Sequence, residues 1–346
     1  MRLSSRSVIS CSVVTLCGAL LVLAVPAAGA VAGLAAVPPT LSDLQVWATA
    51  GSRVGFEAEK VGNRRGLLWV DRFGAQRPRP LRTHAPAHMA EIDQVAAGPN
   101  GSWGCLERGV GNTESYYVVD LVTKHGKATR IDTAGGPTGT EGGPPVSSIP
   151  SLVGDGSFLG YLYVKPAGGV ILYQITSTGH RKLIAHLAGA SAPAQAVIAN
   201  GHLALREFDG SIAVFTTKGR PLATIPAKAD QVALTASRVV VHTTNHQLAV
   251  YNLQGSLVHA WPLAHHLTGL AAYGRYAAFT DDHTVRAIRL SNGTDRIISR
   301  AGNGWFFTGL SLEAPGAVVP HTTRQAGTFR VTLRFLPMAK LRSVLG

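Results

Sequence analysis

The sequence predicts an all-β fold, a seven-bladed β-propeller of four-stranded antiparallel blades. Two observations carry this. "SIAVFTTKGRPLATIP" (Ser211 to Pro226) returns 36 residues later as "QLAVYNLQGSLVHAWP" (Gln247 to Pro262). Ala213/Ala249, Val214/Val250, Gly219/Gly255 and Pro226/Pro262 are identical, and Ile212/Leu248 and Phe215/Tyr251 keep their character. The second is a rhythm of four short apolar runs per unit, separated by turns rich in Gly, Asn and Asp. Alternation at period two with β-branched and aromatic residues reads as strands. Gly, Asn and Asp reach positive φ cheaply, which is why they mark the turns.

The units run in order at about 41–82, 92–133, 150–187, 195–226, 231–263, 268–299 and 308–346. "VIANGHLALREFDGSIAVFTTKGRPLATIP" and "ALTASRVVVHTTNHQLAVYNLQGSLVHAWP" are the cleanest pair, and "LAAYGRYAAFTDDHTVRAIRLSNGTDRIIS" follows them. Self-similarity near 40 residues with four strands per unit is the mark of a propeller, because one such sheet cannot bury both its faces alone. The last unit, about 308–346, is expected to end at its outer strand, with no helix of useful length after the N-terminal leader. Ring closure is expected either from a strand added by Val31–Val37 or from packing alone.

The stretches "GLLWVDRFGAQRPRPL", "YYVVDLVTKHGKATRI" and "LAVYNLQGSLVHAW" resemble the TolB-type and WD40-like β-propeller repeats of bacterial exported proteins. The resemblance covers about nine tenths of the chain and concerns architecture. It implies a binding scaffold, an enzyme or a lipoprotein partner. The Gly-His and Trp-Asp landmarks of strict WD40 repeats are absent.

The N-terminus is a separate object. Arg2 and Arg6 precede the apolar run "VISCSVVTLCGALLVLAV", and Ala28 and Ala30 in "PAAGA" form a small-x-small cleavage pattern. Residues 1–30 read as a signal peptide and 31–40 as a linker. The chain is then secreted or held at the cell envelope; an uncleaved membrane anchor is the alternative. Cys11 and Cys17 leave with the leader, so Cys105 alone remains and no intramolecular disulfide forms. Cys105 reads as a buried apolar residue. The formal charge of +13 falls to +11 without Arg2 and Arg6. The basic residues are spread along the chain and not gathered in a stripe, which reads first as a dispersed solubilising charge; outside a cell the excess also suits an anionic wall polymer or membrane surface. Nucleic acid is not expected, since no recognition motif is present.

Call the strands of a blade A to D from the channel outward. The A–B and C–D turns are short and uniform. The B–C turns and the D–A connections are long and irregular, so ligands are expected on that second face. His84, His88, His265, His266 and Trp305 are the candidate ligand-binding residues. His265, His266, Asp281, Asp282 and His283 could join imidazole and carboxylate groups around a divalent metal. No cofactor beyond that metal is called for, and "TDDHT" also reads as a plain hairpin turn. There is no Gly-x-Ser-x-Gly elbow, Walker loop or Cys-x-x-Cys motif. The reading is a binding module for a protein or small-molecule ligand. The alternative is a propeller hydrolase or lactonase-like enzyme with a loop-assembled acid-base or metal site. A scaffold that uses its blade sides is a third reading.

Overall fold

The computed structural model describes residues 41–346 except 52, 62–63, 73–78, 82–91, 111–113, 138–146, 264–265 and 326–327. Blade 1 comprises β1 (Leu41–Ala50), β2 (Arg53–Val61), β3 (Arg64–Arg72) and β4 (Arg79–Leu81). Blade 2 comprises β5 (Ile92–Ala97), β6 (Trp103–Val110), β7 (Glu114–Val122) and β8 (Ala128–Pro137). Blade 3 is β9 (Ser148–Gly154), β10 (Leu159–Val164), β11 (Val170–Ile175) and β12 (Arg181–Leu187). Blade 4 is β13 (Gln195–Ala199), β14 (His202–Arg206), β15 (Ile212–Thr216) and β16 (Pro221–Ile225). Blade 5 is β17 (Ala229–Leu234), β18 (Arg238–Thr243), β19 (Gln247–Asn252) and β20 (Leu257–Pro262). Blade 6 is β21 (Gly269–Tyr273), β22 (Tyr276–Thr280), β23 (Thr284–Arg289) and β24 (Asp295–Arg300). Blade 7 holds β25 (Trp305–Phe307), β26 (Ser311–Glu313), β27 (Gly316–Gln325) and β28 (Thr328–Pro337), followed by α1 (Met338–Leu345). Within blades 1 to 6 each strand pairs antiparallel with the next. The inner strands touch in a closed circuit: β1, β5, β9, β13, β17, β21, β26 and back to β1.

Both faces of an inner blade are buried, and the sequence shows it. In "VVV" of β18, Val239 and Val241 pack toward blade 4 while Val240 packs toward blade 6. Period two therefore survives inside an unbroken apolar run, as it must when a strand is covered on both sides. The apolar core is accordingly radial, a set of wedges between neighbouring blades.

A row of buried glutamines ties the inner strands together. Gln94 Nε2 donates to the Pro150 carbonyl at 3.0 Å, and its Oε1 accepts from Leu152 N at 2.8 Å. Gln195 clasps both backbone groups of Val232, at 3.1 and 3.0 Å. Gln231 donates to the Leu267 carbonyl at 2.8 Å. Neighbouring inner strands share no sheet ladder, so a side-chain amide, which both donates and accepts, is the group that can pair their backbones. The signal was present in the sequence: Gln195 and Gln231 stand one repeat apart.

The C–D turns explain the repeated glycines. In blades 2 to 5, Gly126, Gly179, Gly219 and Gly255 take φ between +82 and +84. Thr123, Thr176, Thr216 or Asn252 opens each turn, and its side-chain oxygen accepts the backbone N–H four residues on. These turns also press on the blade before. A Cβ on Gly219 would sit 1.9 Å from Ala185 Cβ, and one on Gly293 would sit 2.1 Å from Trp261 Nε1.

Blade 7 departs from the expected pattern in three ways. Its inner strand is interrupted, since β25 and β26 pair with separate stretches of β27. Among the described residues no outer strand follows β28: residues 338–345 form α1, which corrects the expected outer strand at the end of the unit and the expectation of no further helix. The reason is spacing, because Met338, Leu341 and Leu345 recur at helical period and bury one stripe against blades 6 and 7. Finally, β28 pairs antiparallel with β1 through Leu41↔Val331 and Ser42↔Arg330, so blades 7 and 1 form one continuous sheet. Backbone pairing therefore joins the ends, where packing alone was one expectation. The other, a strand from Val31–Val37, lies outside the described residues.

Candidate functional site

On the face of the B–C turns and D–A connections, a cavity of about 720 Å³ opens over blades 4 to 7. The end of β14 supplies Arg206, the β14–β15 turn supplies Phe208 and Asp209, and the start of β17 supplies Asp230 with Lys228 just before it. The connection to β21 supplies His266 and Thr268, the β22–β23 turn supplies Asp282, and blade 7 supplies Phe306 and Phe307.

Three features give the cavity its chemistry. Phe208 is 69% exposed, unusual for so large an apolar side chain. Arg206 is half-buried and its Nε is sealed from solvent with no hydrogen-bond partner. Burial pushes the guanidinium below its ordinary range, and the Asp230 carboxylate opposes that shift. Asp230 in turn holds His242, with Oδ1 2.6 Å from Nδ1. A carboxylate can only accept, so Nδ1 carries the proton of this bond. The Nε2 of His242 is buried and has no partner, and the ring lies 6.4 Å from His266 and 6.1 Å from His246. A register shift between Ala229 and Gln231 brings Asp230 beside His242; straight strands would pair Gln231 with it alone.

The sequence candidates fall as follows. His84, His88 and His265 lie outside the described residues. His266 is exposed and lines the cavity. Asp281 accepts from His283 N, Thr284 N and Thr284 Oγ1 at 2.6–2.8 Å, so it organises its own hairpin turn. Asp282 lines the cavity, and its carbonyl accepts from Phe307 N at 3.0 Å. His283 is exposed. Among the described residues, no group of three or more His, Cys, Asp and Glu is placed to hold a metal ion. Cys105 is fully buried, and that burial pushes its thiol well up. Among the described residues, no helix is long and apolar enough to cross a membrane.

Trp305 does not line the cavity; its neighbours Phe306 and Phe307 do. Instead it stacks on His321, rings 4.4 Å apart and 15° from parallel. His321 Nε2 is buried without a partner, and burial, aided by the Arg334 charge, lowers the imidazole to about 4. The unfolded chain binds this proton near 6.5 and the folded chain near 4, so stability falls as pH drops through that window. His321→Gln is expected to flatten the loss of Tm between those pH values. It should also abolish the component of tryptophan quenching that sets in near pH 4. An unchanged acid limb in both readouts would reject the assignment.

No family model matches the sequence, and no curated protein matches it. Among solved structures, the chain is similar to Sqt1 of Saccharomyces cerevisiae, at 11% identity and a TM-score of 0.54 over 86% of each chain. It is similar to U3-55K at 11% identity and 0.57, covering 84% of this chain and 95% of that one. A chain of the mitotic checkpoint complex gives 13% and 0.58, covering 93% of this chain and 100% of the other. At such identities the likeness concerns the fold, and with the closed circuit of inner strands it makes this chain a seven-bladed β-propeller.

Proposed function

We propose that the chain is an exported binding module whose partner seats on the irregular face, over the cavity of blades 4 to 7. The observation that carries this is the pairing of exposed Phe208 with half-buried Arg206, whose Nε lacks a partner. A buried donor left unpaired is costly and gains most from an incoming acceptor. An exposed aromatic beside it offers area to the same visitor. The partner is then one that presents an anionic group next to an apolar one, and the net positive charge draws it in. Anionic wall polymers and envelope proteins have that chemistry. Arg2, Arg6 and the Ala28/Ala30 pattern support export.

A photo-crosslinking side chain in place of Phe208, expressed in the producing cells, tests the site. The expected result is a defined adduct at position 208 that disappears when Arg206→Leu is added. Adducts formed instead from Leu183 or Leu257, which are exposed on outer strands, would move the interface to the blade sides and overturn the reading.

The Asp230–His242 pair favours a second reading, an acid-base site of a hydrolase. His242 is 0% exposed, and Thr268 Oγ1 on the cavity wall is already bonded to Thr280 and Phe307. With its imidazole sealed from the cavity, this pair supports binding better than catalysis.

A further inference from the structure

The opposite mouth of the channel holds a second cavity, of about 450 Å³, where the inner strands of blades 1 and 3 to 7 run into their A–B turns. Its wall is mostly small and apolar, with Ala199, Leu234, Ala271 and Leu312 facing the space. Two carboxylates interrupt it: Asp155 from blade 3 and Glu313 from blade 7. No Lys, Arg or His is among the described residues of the wall, in a chain with 32 Lys and Arg. The charge inside thus opposes the charge of the whole protein.

Both carboxylates are held in place. Asp155 Oδ1 accepts from Ser157 N, Ser157 Oγ and Phe158 N, and Oδ2 accepts from Asn200 N at 3.0 Å. Glu313 Oε2 accepts from Gly51 N at 2.6 Å and Oε1 from Thr49 Oγ1, which also lies 2.6 Å from Ser311 Oγ. Every one of these partners is a neutral donor, so neither carboxylate has a counter-charge in the wall. Burial raises the Glu313 carboxyl above its ordinary range, and the nearby Asp155 charge adds to that effect. A cation entering the cavity would relieve both.

We propose that this cavity is a binding site for a small organic ammonium ion, with its charged nitrogen at Glu313, in the field of Asp155 on the same wall, and its apolar body against the alanines and leucines. The site is separate from the irregular face and does not rest on the function proposed above. A bare metal ion fits less well: the wall is mainly apolar, and the described residues offer no cluster of three ligating acids or histidines.

The test is calorimetric titration of the folded chain with benzylammonium chloride, with benzyl alcohol as the neutral isostere. A Kd of about 1 mM or tighter is expected for the ammonium and no binding for the alcohol. Glu313→Gln keeps the size and one acceptor oxygen and should weaken binding by about tenfold or more. Ala314→Lys, at an exposed position of the same rim, supplies an internal ammonium and should do the same if Glu313→Gln perturbs folding. Equal binding of alcohol and ammonium, a Kd unchanged in both variants, or no heat up to about 10 mM would overturn the proposal. Stoichiometric calcium binding that excludes the ammonium would also overturn it.

Discussion

Gly219→Ala is expected to destabilise the protein by about 3 kcal/mol, among the largest effects of any single methyl added to this chain. Two costs coincide there. At φ +83 a Cβ meets its own carbonyl, which costs about 1–2 kcal/mol. The same Cβ would lie 1.9 Å from Ala185 Cβ on the outer strand of blade 3, so that blade or the turn must shift. Gly156→Ala separates the two: φ is +83 again, but nothing stands within 4 Å of the added atom. It should cost only the backbone share, about 1–2 kcal/mol. Chemical denaturation of both variants checks this. Equal losses would mean that the turn of blade 4 does not bear on blade 3.

Glu107→Gln is expected to stabilise the protein at pH 8 by about 2 kcal/mol and to leave it nearly unchanged at pH 5. Glu107 is 3% exposed on β6, on the face that also carries Cys105. Burial first, then the Asp120 charge, raises its carboxyl from 4.5 to about 7, with Arg130 opposing. The folded chain keeps this proton where the unfolded chain has lost it, so stability falls as pH rises from 4.5 to about 7 and is then flat. Glutamine has no proton to lose. The difference in Tm between variant and parent should widen across that window, and a constant offset would show that Glu107 does not titrate in it.

The sequence made the blades legible because their constraint is local. Turn glycines such as Gly219 and Gly255 must take positive φ wherever the turn recurs, and residues such as Val239–Val241 must alternate. The seventh blade was not legible in the same way. Eight residues from Met338 are too few for a period to stand out, and they read as easily as a strand. Of the irregular-face candidates, His266 and Asp282 line a cavity, while Asp281 serves its own turn. Arg206, Phe208, Asp230 and His242 went unremarked. Nothing in a single strand marks Asp230 as bulged toward His242, since the register shift is a property of two strands together. The second cavity was invisible for a different reason. Its wall is built from the alanines and valines that any inner strand would carry, and its two acids sit in turns that look ordinary.

The seam between β28 and β1 has a consequence in time. It joins positions about 290 residues apart, and closing a loop of that size costs on the order of 5 kcal/mol of chain entropy before any contact repays it. Blades 2 to 6 each make their pairings within one short stretch, from Gln195–Ile225 in blade 4 to Ile92–Pro137 in blade 2, and can form as the chain emerges. The join between first and last must wait until residue 331 is free to move. A chain that folds from its N-terminus onward is therefore an open arc first and becomes a ring only when its last strand is in place. Until then the inner surfaces of its end blades are bare, and a chaperone that binds apolar strands would have its longest opportunity there.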